Sequence, residues 1–420
     1  MSLHKSHRRL AFQRATFTTN RMTQNPTTLW QRGWNWLNSL SEDKAFRAAL
    51  GFWLIFGLIV AIIVAVQPDR HTATLEYQWA AAKWWKSVTI YQKTNGYLYL
   101  PQWAMLYTPY QILPTRIGEP LWRLTMLAFL AWTVWLAAGK ISKDRKSAIF
   151  LVASVLLLPS AMASARNGQV NMPLGTLYLL SAVMISERKW ILTAVLLTLS
   201  LALKPISIVP ILLCGVLFPR LILPLIVGII LMLAAAFIHP HPSYVMEQYN
   251  IFITILLKAG HPKSNNWCDF AGMLRSFGLS LPDLAHLAIR AVAALFALGL
   301  AWKASRIRDA FRSAYTVLFL AVVYLMLFNP RTETNSYVML GTFIGLWVAY
   351  EALIAKRLKA AAWLVVFAII LGTENYGWPI FPYTDLWLKA LVTSILAVWL
   401  AKKLVTSPCG EPVLLKPSDR

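Results

Sequence analysis

The chain reads as an all-α, polytopic membrane protein with about twelve transmembrane helices. Hydrophobic residues fill 58 % of its 420 positions and charged residues only 14 %, against roughly a quarter charged in ordinary soluble domains. Long apolar runs recur from residue 49 to residue 401, and a bilayer crossing needs about 20 such residues. The chain also carries 19 Trp, 15 Tyr and 19 Phe. Trp and Tyr favour bilayer interfaces, and all three can stack on ligands. This composition excludes disorder, a collagen-like repeat and a small disulfide scaffold, and it argues against a soluble enzyme. Cys214, Cys268 and Cys409 are too few and too scattered for a disulfide framework.

In order, the apolar runs fall near 49–66, 121–138, 148–163, 170–186, 190–203, 206–219, 221–238, 286–302, 314–328, 335–354, 360–372 and 385–401. Pro173, Pro210 and Pro224 are expected to kink or break the short ones. The stretch 190–238 is either three spans or one span with a re-entrant pair. The first run, Ala49–Val66, is long enough to cross, so no cleavable leader is expected. Met22 is an alternative start, with residues 1–21 a dispensable basic arm. Three parts follow: a basic N-terminal arm (1–48), a transmembrane body (49–401) and a tail (402–420).

Orientation follows from charge. The net charge of +23 would suggest nucleic acid in a soluble protein. Here Lys and Arg mark cytoplasmic loops, and no nucleic-acid partner is expected. With both termini inside, the cytoplasmic segments 1–48, 139–147, 187–189, 220, 303–313, 355–359 and 402–420 hold 26 of the 40 Lys and Arg but only 7 of the 17 Asp and Glu. The longer polar loops, 67–120 and 239–285, then lie outside, with the short turns 164–169, 204–205, 329–334 and 373–384. No nucleotide-binding motif occurs on the inner side, so the chemistry is expected on the outer face.

Five outer stretches carry reactive side chains. The first loop contains Asp69, Glu76-Tyr77 and an aromatic run in which Ala80–Trp85 can form an interfacial helix. Trp79, Trp84 and Trp85 would sit at headgroup depth there, with Lys83 and Lys86 at lipid phosphates. Tyr97, Tyr99, Pro101 and Pro109 form a stiff aromatic turn, suited equally to packing or to a sugar ring. Arg166-Asn167-Gly168-Gln169-Val170-Asn171 is either a polar turn closed at Gly168 or a set of ligands, Arg166 for phosphate and the amides for hydroxyls. Lys204-Pro205 interrupts an apolar region, where a lysine must snorkel or meet an anion. Asn329–Tyr337 places Arg331 and Glu333 together, as a phosphate ligand with its carboxylate partner or as a helix start capped near Thr332 or Thr334. Glu374–Pro379 reads as a rigid interfacial turn. No His, Cys and carboxylate cluster has metal-ligand spacing, His239 and His241 included. Neither metal nor cofactor is required.

At these residues the chain resembles glycosyltransferase family 87, the polyprenyl-phosphate-sugar-dependent transferases of the glycosyltransferase C superfamily. The matching stretches are Tyr77 through Pro114, Gly168-Gln169-Val170-Asn171 with Pro173-Leu174, Leu203-Lys204-Pro205, and Asn329–Tyr337. The resemblance implies a glycosyltransferase C-like membrane enzyme with interfacial helices in its outer loops. It would move a hexose, mannose or another, from a polyprenyl-phosphate donor to a lipid or glycan acceptor at the outer face of a bacterial inner membrane, among membrane lipids. The family carries an Asp shortly before the tyrosine that matches Tyr77. Here Ala73, Thr74 and Leu75 are not acidic, Glu76 directly precedes Tyr77, and Asp69 lies further back. The expected base is therefore Glu76, with Asp69 second. Arg166, Lys204 and Arg331 would neutralise the leaving phosphate, and Tyr99, Gln169, Asn171 and Glu333 would hold the substrate. The competing readings are a transporter or flippase for a lipid-linked or anionic solute, and a non-catalytic partner in glycan assembly.

Overall fold

The computed structural model describes residues 39–91, 96–260 and 267–415, with Arg32, Gly33 and Trp36. The basic arm up to residue 31, including Met22, lies outside the described residues, as do 261–266 of the second long loop. The chain divides into two units, Met1–Ser41 and Glu42–Arg420. In the first, the Ser39 hydroxyl donates to the Trp36 carbonyl at 2.7 Å.

Among the described residues of the second unit there are helices and turns and no strand. The helices are α1 (Glu42–Val66), α2 (Thr74–Trp84), α3 (Pro101–Gln111), α4 (Thr115–Ile141), α5 (Lys146–Asn167), α6 (Asn171–Ser186), α7 (Trp190–Leu203), α8 (Ile208–Leu217), α9 (Ile222–Ala235), α10 (Pro242–Ala259), α11 (Phe270–Ser276), α12 (Asp283–Ser305), α13 (Ala310–Phe328), α14 (Val338–Leu353), α15 (Leu358–Ile370), α16 (Thr373–Tyr376), α17 (Phe381–Thr384) and α18 (Leu388–Thr406). A helix occupies each of the twelve apolar runs. Among the described residues seven segments are long and apolar enough to cross a bilayer: α1, α4, α5, Pro219–Ile238, α12, α13 and Thr334–Leu353. The stretch 190–238 is three separate helices, of which α7 rises only about 21 Å against a hydrocarbon core of about 30 Å.

The expected proline breaks do not occur. Pro173 stands in the first turn of α6, where the missing N–H has no helical partner to lose. Pro210 and Pro224 each follow a 3₁₀ turn, Pro205–Ser207 and Pro219–Leu221, that leads into α8 and α9. The helix continues through both.

Two kinds of helix can be told apart by their faces. In α1, Ala45, Ala49, Trp53, Gly57, Val60 and Val64 form a buried stripe, while Leu54 and Leu58 are more than 60 % exposed on the other side. That is the pattern of a peripheral helix with one face toward lipid. In α14 every residue is buried. It packs closely on α5, where Gly345 leaves room for the Ala153 carbonyl and Gly341 for the Ser160 hydroxyl. Small residues at such crossings let helix backbones approach.

The contacts also sort the helix ends into two sets. One end gathers the head of α4 and the turns near residues 70, 168, 204, 333 and 374, through hydrogen bonds such as Ala73 N–H to the Asn167 carbonyl at 2.9 Å and Lys389 Nζ to the Thr334 carbonyl at 3.0 Å. The other is basic. There Glu42 accepts from the Ser147 N–H at 2.6 Å, Lys140 pairs with Glu187 at 2.8 Å, and the Arg308 N–H reaches the Gly410 carbonyl at 3.1 Å.

Candidate active site

The candidate site is built on the turn between α5 and α6. Gly168 ends α5 with φ 67°, a left-handed conformation that costs a side-chain-bearing residue about 1–2 kcal/mol. A Cβ here would also lie 2.6 Å from the Arg123 guanidinium carbon. Arg123 is fully buried beneath the turn, donating to the Thr72 hydroxyl at 2.7 Å and to the Arg166 carbonyl at 3.4 Å. Trp122 Nε1 donates to the Gly168 carbonyl at 2.8 Å.

Arg123 also pairs with Glu119. Glu119 further accepts from the Thr74 hydroxyl and Gln78 Nε2, each at 2.5 Å, and from the Tyr107 hydroxyl at 2.7 Å. One carboxylate thus ties α2, α3 and α4 together. With four donors around it, Glu119 is a strut rather than a base. Sequence reading missed this pair because it began the span at residue 121. The available signal was an acid and an arginine four positions apart at the head of an apolar run.

Beside this strut a polar chain crosses from α7 to the segment before α14. Lys204 Nζ donates to Asn171 Oδ1 at 3.0 Å. Asn171 Nδ2 donates to Gln169 Oε1 at 2.9 Å and also faces Asn335 Oδ1 and the Ser336 hydroxyl at 3.2 Å. Gln169 Nε2 donates to Glu333 Oε2 at 2.9 Å. Glu333 is the N-cap of the short turn Thr334–Tyr337 and shares a capping box with Ser336. This corrects the expected cap at Thr332 or Thr334. Ser164 fixes the same turn by donating to the Asn335 carbonyl at 2.9 Å.

An ammonium and a carboxylate therefore face each other through two amides. Desolvation lowers the Lys204 pKa, and the attraction of Glu333 acts against it. Among the described residues one of the three Lys204 donors is used, so the group can present others to an anionic oxygen. Tyr77 and Tyr99 stand alongside, their hydroxyls 3.0 Å apart. Burial raises both phenol pKa values, and Glu333 adds to the rise, so both stay protonated. Trp103 and Tyr107 extend this wall, each ring centred 5.4 Å from that of Tyr77.

The expected residues divide accordingly. Gln169, Asn171, Lys204 and Glu333 form one hydrogen-bonded chain, with Tyr99 beside it through Tyr77. Glu76 lies on the exposed side of α2, next to the buried Tyr77. Asp69 is exposed in a shallow depression of about 590 Å³ with Arg70 and Arg116. Arg166 is exposed. Arg331 leans on the Trp267 ring, 5.4 Å from its centre, and donates to the Ala259 carbonyl at 3.1 Å. Glu333 accepts from Gln169 in this chain and also acts electrostatically on Arg331. Trp84, expected at headgroup depth, is fully buried against His239 and Tyr244. Glu374, expected in a plain interfacial turn, is paired with the buried Lys389. Among the described residues no three of His, Cys, Asp and Glu converge to hold a metal.

The chain is thus a many-helix membrane protein with a cation, a carboxylate and amides gathered at one end of its helices. The sequence model of glycosyltransferase family 87 matches residues 97–330, more than half of the chain, and the chain belongs to that family. It is a membrane glycosyltransferase, with a sugar donor and an acceptor as substrates. No curated protein matches it.

Proposed function

We propose that this protein transfers a hexose, mannose by preference, from a polyprenyl-phosphate donor to a lipid or glycan acceptor at the outer face of the inner membrane. The observation that carries the reading is the Lys204–Asn171–Gln169–Glu333 chain. It holds a desolvated ammonium near the end of the helices, where the phosphate of a membrane-anchored donor arrives. An acceptor hydroxyl attacks the anomeric carbon and loses its proton to a carboxylate, and the lipid phosphate leaves with the bonding pair. Lys204 stabilises the negative charge that develops on that phosphate.

Of the acids at this end, Glu119 is filled by four donors, Glu374 is paired with Lys389, and Asp269 caps α11 by accepting from the Gly272 N–H at 2.7 Å. Glu333 is engaged by Gln169 and its own cap. Glu76 is exposed and directly precedes Tyr77 of the aromatic wall, and on that placement we assign it the role of base, with Asp69 a lesser contributor. Arg166 and Arg331 belong to the donor approach.

The test is transfer by the purified protein, with polyprenyl-phosphate mannose and a crude lipid acceptor. Lys204→Met is expected to lower turnover by about 100- to 1,000-fold at unchanged yield. Glu76→Gln is expected to lower it by about 100- to 10,000-fold, and Asp69→Asn by less. Wild-type turnover in Lys204→Met reduces that lysine to a snorkelling residue. Wild-type turnover in Glu76→Gln moves the base elsewhere.

A further inference from the structure

The basic end of the bundle holds a second feature that sugar transfer does not use. A crevice of about 690 Å³ runs between α14, α15 and α18 and is closed at one mouth by Ser407, Pro412 and Val413 of the C-terminal segment. The volume is that of a small-molecule site. Its walls are apolar, with Phe367 and Ile370 on α15 facing Val392 and Leu396 on α18. Its charged lining residues are Glu351, Arg357 and Lys403. Glu351 is 4 % exposed and accepts from Arg357 Nε at 2.7 Å and Trp347 Nε1 at 3.0 Å.

We infer that this crevice binds a membrane phospholipid with an anionic headgroup. The headgroup lies by Arg357 and Lys403, and an acyl chain lies between α15 and α18. Three observations support this occupant. The crevice is bordered by exposed apolar side chains, Trp363 at 77 % and Ile395 at 61 %, as suits an acyl chain. Lining residues extend from Arg357, just before α15, to Ile370 at its end, about 20 Å at 1.5 Å per residue, enough for a chain that fills one leaflet of about 15 Å. The charge is one-sided. Of the charged lining residues Arg357 and Lys403 are basic, Lys356, Lys359 and Lys402 are their near neighbours in sequence, and the one acid, Glu351, is already paired with Arg357. An anionic headgroup is attracted to these basic side chains, and a zwitterionic one much less. A bound lipid would tie α15 and α18 to the C-terminal segment, which itself is anchored to the α12–α13 turn at Gly410.

The experiment uses the full chain in detergent, delipidated, with added dioleoyl phosphatidylglycerol or phosphatidylcholine. Thermal unfolding and native mass spectrometry are read, and neither depends on transfer activity. Phosphatidylglycerol is expected to raise the melting temperature and to give a one-to-one adduct at concentrations where phosphatidylcholine does neither. Lys403→Gln is expected to weaken the phosphatidylglycerol adduct about fivefold. Ile395→Trp, a change at an exposed position that narrows the crevice, is expected to remove the adduct while the protein still unfolds cooperatively. Equal binding of the two lipids, an adduct unchanged in both variants, or a lipid-free dimer seated on this face would each overturn the inference.

Discussion

Arg123 and Lys204, two cations near the candidate site, act differently because their partners differ. Arg123 meets a carboxylate that is saturated by its own neighbours, so the pair is a fixed joint. In Glu119→Gln the guanidinium would be left buried and uncompensated, a loss of about 3–5 kcal/mol. Thermal unfolding of that variant is expected to show a large fall, with any loss of transfer following from it. Lys204 instead meets only an amide, and its charge is balanced at a distance. Because desolvation lowers its pKa below the ordinary lysine value of 10.5, the ammonium is present at low pH and is lost as pH rises through that lowered value. The alkaline limb of kcat/KM is therefore expected below the usual lysine range. In Lys204→Arg, where the charge persists above pH 12, the limb should move up or vanish. An unchanged pH profile in Lys204→Arg would remove Lys204 from the donor-binding step.

At the scale of elements, the Gly168 turn joins strut to polar chain. Gly168→Ala asks for a positive φ from a residue with a Cβ, about 1–2 kcal/mol, and drives that Cβ into the Arg123 guanidinium. Lower thermal stability and reduced turnover together are expected, since the same turn carries Gln169 and Asn171. Stability equal to wild type would mean that Arg123 has room to move aside. The helical segments were legible in the sequence because an apolar run bounded by polar turns is a local signal. Gly168 as a helix stop was legible for the same reason. The cap at Glu333 was not, because Gln169 and Glu333 lie 164 positions apart, and the local pattern around Thr332 and Thr334 offers equally good caps. Glu374 and Lys389 were missed in the same way: each looks ordinary alone, an acid in a turn and a lysine at a span end.

Over the whole molecule, the basic helix ends and the polar site separate to opposite poles, matching the charge asymmetry of the loops. With the site outward, His71→Cys, exposed near the polar pole, is expected to react with an impermeant maleimide added to intact cells. The native Cys409, exposed at the basic pole, should react only after permeabilisation. The buried Cys214 and Cys268 keep the background low. The reverse labelling pattern would turn the protein over in the membrane and put the site on the cytoplasmic side. Which helices face lipid was only partly readable from sequence. The runs of α1 and α14 are both apolar, and only packing shows that one is peripheral and the other wholly enclosed.

The hydrogen bond from Trp122 to the Gly168 carbonyl fixes the relative height of two helices. Everything in α4 before Trp122 stands above the α5–α6 turn, an overhang of about 10 Å at 1.5 Å per residue. The Lys140–Glu187 pair holds the opposite ends of α4 and α6 level, so the shortness of α6 and α7 appears entirely on the site side. The site floor is accordingly sunk beneath a rim. For the polyprenyl-phosphate donor proposed above, this depth would let its phosphate reach Lys204 while the first isoprene units remain in hydrocarbon. Were the floor level with the rim, those units would be lifted into water at about 25 cal/mol for each Å² of apolar surface exposed.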